Sequence, residues 1–422
     1  MILITNDSVV IKDNTSLHFN SLTKLFNKYK NVILEDKFDN SLDKLPKIHK
    51  LTIESCFNHD LILPSSLKTF IFNPSIYYQK KITLPKKLKN LSITINPTNG
   101  LNFMEGLNKL KYLKINFHYF ENMPEIYIPE SVNSLVIENT KVSWRTAFPY
   151  YPSFKIEYNI LPKKLKVLKI IDSNYPLGML TNNLQYLIIQ CVYFNDDLSL
   201  LKNSNIKRLS LNSPLFNQSL SNLPDSLVTL ELNCPRFNNS VDCLPKNLKR
   251  LFLNNMRFFD KSLDDLPQLK ELNLRSDGSN KINIDFLPSS LEKLSLHIFA
   301  PVNLTNLPAK LKKFNLYYHG KTPLDLKNLP NSIQVMFLHL NEYKNIIFPK
   351  NLKLLGIECK EEEAYQIRFW NYPIREKLNF KLPENLEYLI VSTCFCEYIK
   401  ENYPGIKVIH FSNCKKIIQK YC

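Results

Sequence analysis

Glycine is nearly absent from this chain, with 7 in 422 residues. Glycine-rich phosphate cradles are therefore excluded, and neither a P-loop nor a Gly-x-Ser-x-Gly elbow occurs. Turns fall instead to Asn, Asp, Ser and Pro. No apolar run approaches the roughly 18 residues that a membrane helix needs. The 9 cysteines are odd in number and irregularly spaced, which excludes a disulfide framework and implies reduced thiols inside a cell. The opening MILITNDSVV lacks the basic region and long apolar core of a secretion signal. Arginine, alanine and tryptophan are also scarce, at 8, 4 and 2 residues, while lysine, Asn, Ile, Phe and Tyr abound. The net charge of +17 invites a nucleic-acid or anionic-surface partner. The same profile is what an AT-rich gene encodes, so charge alone does not choose.

What is present is a repeat. From Leu223 to Leu296 one phrase recurs four times in tandem, L-P-x-x-L-x-x-L-x-L, opening at Pro224, Pro245, Pro267 and Pro288. In the first copy the apolar positions are Leu227, Leu230 and Leu232, and in the second Leu248, Leu251 and Leu253. The last two leucines of each copy alternate with one variable residue, as a strand buried on one side requires. A unit of this size cannot bury those leucines alone, so the copies stack into one continuous core.

The phrase begins at Leu45-Pro46 and returns at Pro64, Pro85, Pro129 and Pro162, with degenerate copies at Leu107, Thr181 and Asn203. Beyond the central block it continues at Pro308, Pro330, Pro349, Pro383 and Pro404. The chain thus divides into a cap over 1–44, about 17 copies over 45–413, and a tail over 414–422. In the cap, MILITNDSVVIKD is expected to form a hairpin and SLHFNSLTKLFNKY a helix. Proline is expected at the strand's start, before ladder hydrogen bonding begins, where its missing N–H is tolerated and its ring fixes the backbone for the turn into the strand. The period breaks twice, with insertions near 138–160 and 358–381 that hold the two tryptophans.

The frame L-x-x-L-x-L at this period resembles the leucine-rich repeat. After the strand an aromatic precedes Asn or Asp, at Phe38-Asp39, Phe57-Asn58, Phe194-Asn195, Phe216-Asn217, Phe237-Asn238 and Phe259-Asp260, with an apolar residue four positions after the aromatic. This is similar to the FNIP repeat, a leucine-rich-repeat relative known mainly from social amoebae and giant viruses of amoebae. The resemblance implies a leucine-rich-repeat-like solenoid, or horseshoe, with a parallel β-sheet on the concave face and little helix on the convex side. FNIP repeats are often joined to an F-box, which implies a third reading, substrate recognition for a ubiquitin ligase. The leading 44 residues look too short for an F-box. The Asn or Cys that the leucine-rich consensus places three after the last strand leucine is replaced centrally by Pro235 and Met256. Asn212, Asn233 and Asn254 offer a substitute ladder.

Catalysis needs titratable groups converging in a pocket. The eight histidines are scattered without a recurring partner, and Cys394-Phe-Cys396 lacks the second pair that a zinc site wants. No catalytic residue, cofactor or metal is expected. The favoured reading is a non-enzymatic, intracellular scaffold that binds another protein. Long loops on a rigid frame carry function, and Trp, Tyr and Arg are interface anchors. The expected partner contacts are therefore Trp144, Arg145, Tyr150 and Tyr151 in the first insertion, and Arg368, Trp370 and Tyr372 in the second. The alternative is nucleic-acid or anionic-surface binding through a lysine rim. Lysines recur just after the phrase's first apolar residue, at Lys68, Lys89, Lys111, Lys166, Lys207, Lys249, Lys270, Lys312, Lys353 and Lys407.

Overall fold

The computed structural model describes residues 2–5, 7–12, 24, 26–39, 42, 45–73, 78, 80–95, 104–117, 127–139, 161–172, 180–257, 261–263, 265–276, 284, 287–320, 322–340, 343–344, 346–358, 378–379, 381–391, 403, 405–410 and 418. The chain forms two compact units. Unit 1 comprises Met1–Phe194 and Asn203–Ile206; unit 2 comprises Asn195–Lys202 and Lys207–Cys422.

Unit 1 contains β1 (Ile2–Ile4), β2 (Ser8–Ile11), β3 (Asn31–Asp36), β4 (Lys50–Ser55), β5 (Leu61–Ile62), β6 (Thr69–Phe72), β7 (Ile82–Thr83), β8 (Asn90–Ile95), β9 (Tyr112–Phe117), β10 (Ser134–Asn139), β11 (Val167–Ile171) and β12 (Tyr186–Gln190). β1 and β2 make an antiparallel hairpin. From β2 through β3, β4, β6 and β8–β12 the ladder is parallel throughout. β2 and β3 lie inside the stretch assigned to the cap, and they extend the parallel ladder two strands ahead of β4, the strand of the first Leu-Pro phrase. Of the helix expected there, residues 24 and 26–28 are helical, and 13–23 lie outside the described residues.

Unit 2 contains β13 (Arg208–Asn212), β14 (Thr229–Asn233), β15 (Arg250–Asn254), β16 (Glu271–Arg275), β17 (Lys293–Ile298), β18 (Lys313–Tyr318), β19 (Val335–His339), β20 (Tyr343–Lys344), β21 (Leu354–Glu358), β22 (Leu378–Asn379), β23 (Tyr388–Val391) and β24 (Lys407–His410). β13–β19, β21, β23 and β24 again pair in parallel, in chain order. Each unit is therefore a leucine-rich-repeat-like solenoid with one parallel sheet. Helix among the described residues amounts to little more than the 3-10 turn Ser199–Leu201.

Four local devices build each turn. The strand leucines go inward: Leu230, Leu232, Leu251 and Leu253 are fully buried, and Glu231 and Phe252 between them are half-exposed on the open face. The proline stands in the turn that leads into the strand. Its carbonyl accepts from the N–H three residues on, Leu227 to Pro224 at 3.0 Å and Leu248 to Pro245 at 3.0 Å, so it opens a β-turn ahead of the strand. Proline suits that corner because its φ is preset. Degenerate copies close the same turn without it, as Leu110 to Leu107 at 3.1 Å and Leu184 to Thr181 at 3.0 Å.

The third device stitches turn to turn. The carbonyl of the residue after the first apolar position accepts two N–H groups from the next turn, as Lys68 does from Lys89 at 2.9 Å and Asn90 at 3.1 Å. The fourth lies after the strand. Phe38, Phe57, Phe216 and Phe237 are fully buried, and the rings of Phe216 and Phe237 stack at 6.1 Å. The Asn or Asp that follows reads the next turn: Asp39 Oδ1 accepts from Asn58 N–H at 2.8 Å, Asn195 Oδ1 from Asn217 N–H at 2.9 Å, and Asn217 Oδ1 from Asn238 N–H at 3.0 Å. This is the amide ladder. Asn212, Asn233 and Asn254 share one register row instead, on the open face. Left-handed backbone is held without glycine at Asp36, Asp172 and Asn255, as the glycine shortage requires.

The last copy is shortened: Ile409 pairs with Ile390, because its strand begins three residues after Pro404, where β23 begins five after Pro383.

Candidate functional site

Because strand side chains alternate, every residue between two core positions is presented on the open face of the sheet. In unit 2 the register aligns Asn273, Ser295, Asn315, Phe337 and Gly356 in one row, and Arg275, His297, Tyr317, His339 and Glu358 in the next. Phe299 and His319 stand two residues beyond His297 and Tyr317, just past the ends of β17 and β18, against the same rings.

The second row is an imidazole–aromatic cluster. His297 Nε2 lies 2.7 Å from His319 Nε2, so one nitrogen donates and the other accepts. The His319 ring centroid is 4.8 Å from that of His297, 5.2 Å from His339 and 4.9 Å from Phe299. Tyr317 sits between His297 at 5.6 Å and His339 at 6.1 Å. His339 Nδ1 is 3.7 Å from Glu358 Oε2 at the row's end. Burial first, and the Glu358 carboxylate second, push the Tyr317 phenol above its ordinary range, so it stays protonated and offers an O–H. Phe299 keeps 40% of its surface exposed, which makes the cluster accessible from outside.

Toward β24 the face turns apolar. Val335, Leu354 and Ile390 are buried there, with Phe337, Tyr388, Ile409 and Ile418 packed against them. In unit 1 the open face carries a polar network. Thr94 Oγ1 donates to Asn73 Oδ1 at 2.9 Å, and Asn116 Nδ2 reaches both, at 3.3 Å each.

The residues expected from sequence as partner contacts, Trp144, Arg145, Tyr150, Tyr151, Arg368, Trp370 and Tyr372, lie outside the described residues, as do Cys394 and Cys396. What the structure does fix is where the second insertion departs. Glu358 ends β21 inside the histidine row, and the chain is described again at β22, paired with β20. The histidines are not all scattered: three of them meet here. The signal was in the sequence, one position past the second strand leucine, where His297, Tyr317 and His339 recur at the repeat period. No group of three or more His, Cys, Asp or Glu is arranged to hold a metal ion among the described residues, and no helix among them is long and apolar enough to cross a membrane.

The lysines following the first apolar position are exposed in both units. In unit 2 they are interrupted by acids: Lys270 and Lys312 flank Glu292 at 3.0 and 2.9 Å, and Lys353 pairs with Glu387 at 3.6 Å.

No family model matches the chain, and no curated protein does. Among solved structures, the chain is similar to CroV588, described as a novel circular LRR protein. The two are 18% identical, over 91% of this chain and 79% of that one, with a TM-score of 0.38. YopM from Yersinia enterocolitica WA-314 is 18% identical over 85% of this chain and 91% of its own, at 0.35. A chain of the Toll–Spatzle complex from Drosophila is 14% identical over 93% of this chain and 58% of its own, at 0.47.

Proposed function

We propose that this protein is a non-enzymatic, intracellular scaffold that binds another protein on the open sheet face of unit 2, at the row His297, Tyr317, His339 and at His319. The observation that carries the reading is the cluster itself. Part-buried rings on neighbouring strands, with Phe299 40% exposed at their edge, are already ordered by one another, which is what interface anchors need. The second insertion follows Glu358, which stands in the same row, and Arg368, Trp370 and Tyr372 within it are proposed as further partner contacts. The Phe-Asn/Asp ladder supports reading the copies as FNIP-type repeats.

The test is paired affinity capture from the native cell, with the full wild-type chain and a His297→Ala, Tyr317→Ala, His319→Ala variant as baits. A protein captured by the first and lost with the second is the expected result. Identical capture by both baits would overturn this face as the binding surface.

A further inference from the structure

The column of residues whose carbonyls stitch the turns runs, in unit 1, through Lys30, His49, Lys68, Lys89, Lys111, Asn133 and Lys166, and Gln185 ends it by donating to Lys166. It contains no acid. Each of its five lysines is exposed, and none makes an ion pair among the described residues. The corresponding column of unit 2 runs through Lys207, Val228, Lys249, Lys270, Glu292, Lys312, Gln334, Lys353 and Glu387. It has five lysines as well, yet its two glutamates tie up three of them. Solubility alone does not explain why one column is screened and the other is bare.

The bare column is also rigid at its base. From Lys30 to Lys166 every carbonyl of the column accepts two main-chain hydrogen bonds of 2.8 to 3.1 Å, so successive Cα atoms stand one strand spacing apart, about 4.8 Å. Further lysines thicken it from the adjoining turns, at Lys86, Lys87, Lys109, Lys163 and Lys164, all exposed. The acid at that turn position, Glu130, is engaged with the backbone N–H of Lys163 at 3.1 Å. Beside the column, in the first row of the open face, stand Tyr112 and Tyr186, the latter 41% exposed.

We infer that the lysine column of unit 1 binds single-stranded nucleic acid, with the phosphates along the lysines and bases turned onto Tyr112 and Tyr186. A single line of cations flanked by aromatic faces is the arrangement that tracks one strand, because a backbone lies along the charges while unpaired bases stack on rings. A duplex keeps its bases inside and has no use for the tyrosines. An acidic peptide or an anionic membrane would answer to the lysines alone.

The test measures fluorescence anisotropy of a labelled thymidine oligonucleotide of about 20 residues with the full chain, between about 50 and 200 mM salt. Replacing Lys68, Lys89, Lys111 and Lys166 by Gln is expected to weaken binding at least about 30-fold at the lower salt and to flatten the log–log salt slope by about 3, at roughly 0.7 per lost phosphate contact. The same four positions changed to Arg keep the charge and are expected to bind as wild type, which separates the effect from misfolding. A set matched in charge, K207Q, K249Q, K312Q and K353Q, is expected to weaken binding by about threefold or less. Tyr112→Ala with Tyr186→Ala is expected to lose about tenfold without changing the slope. Equal losses from the two lysine sets would overturn the inference, as would no binding at the lower salt. So would equal or tighter binding of duplex DNA, polyglutamate or phosphatidylserine vesicles.

Discussion

The ring of Phe337 occupies the space that a side chain at position 356 would fill: a Cβ built on Gly356 collides with Cδ1 and Cε1 of that ring. The two residues face each other across β19 and β21, in the row between the strand leucines. Glycine is needed here for clearance rather than for an unusual backbone. Gly356→Ala is expected to cost about 1 to 3 kcal/mol by overpacking. Adding Phe337→Leu should recover part of the loss, and urea unfolding of the single and double variants measures both.

Leu230 is fully buried and pairs in register with Leu209 and Leu251. Leu230→Ala is expected to destabilise unit 2 by roughly 2 to 5 kcal/mol. A loss below about half a kcal/mol on chemical denaturation would contradict its place between two neighbouring turns.

Asn217 is a link of the amide ladder twice over, donating its N–H to Asn195 and accepting that of Asn238. Asn217→Ala removes only the acceptor and should cost about 0.5 to 1.5 kcal/mol. Asn217→Asp keeps the acceptor and should stay near wild type, as Asp39 does the same task in unit 1. Thermal melts of the two variants side by side distinguish them.

Glu292 is held at about 2 by hydrogen bonds from Lys312 and then Lys270, against an ordinary 4.5. A depressed folded pKa means that the stabilisation is complete above 4.5 and disappears as pH falls through about 2. Carboxyl NMR titration should find Glu292 among the last carboxylates to protonate. Lys270→Met with Lys312→Met should move its titration back toward 4.5 and remove that part of the pH dependence.

The insertions are expected to carry partner contact rather than stability. Deleting 141–153, or separately 361–373, restores the ordinary repeat interval and should leave the unfolding midpoint nearly unchanged, since loop length costs little. Capture of the native partner should be abolished. Unfolding of a trimmed chain would instead assign Trp144 and Trp370 to packing.

How far the fold could be read from sequence follows from which contacts have a period. Leu230, Leu232, Leu251 and Leu253 announce themselves because alternation by two sits inside a repeat of about twenty, and both periods are written in one residue type. The turn at Pro224 leading into the strand was legible from proline's preset φ and missing N–H, while the bond that closes it, from Leu227 N–H, was not. The amide ladder was sought near the strand, at Asn212 and its equivalents. It lies instead at Asn217, whose pairing with the stacked Phe216 was visible in the sequence while its hydrogen-bond partner was not. The histidine cluster was missed because His319 stands outside the frame that defines the strand. It meets His297 diagonally, a relationship that requires the register of β17 and β18.

The stitching column has one more implication. Its bonds are made by main-chain carbonyls and N–H groups, so any residue with an amide can occupy a place in it: Lys68, Asn133, Val228, Glu292 and Gln334 all accept the same pair of bonds. Side-chain identity along this line is free of any folding duty. Mutation can therefore redraw the charge pattern of an entire edge, lysine by lysine or acid by acid, while the stack beneath it stays as it was.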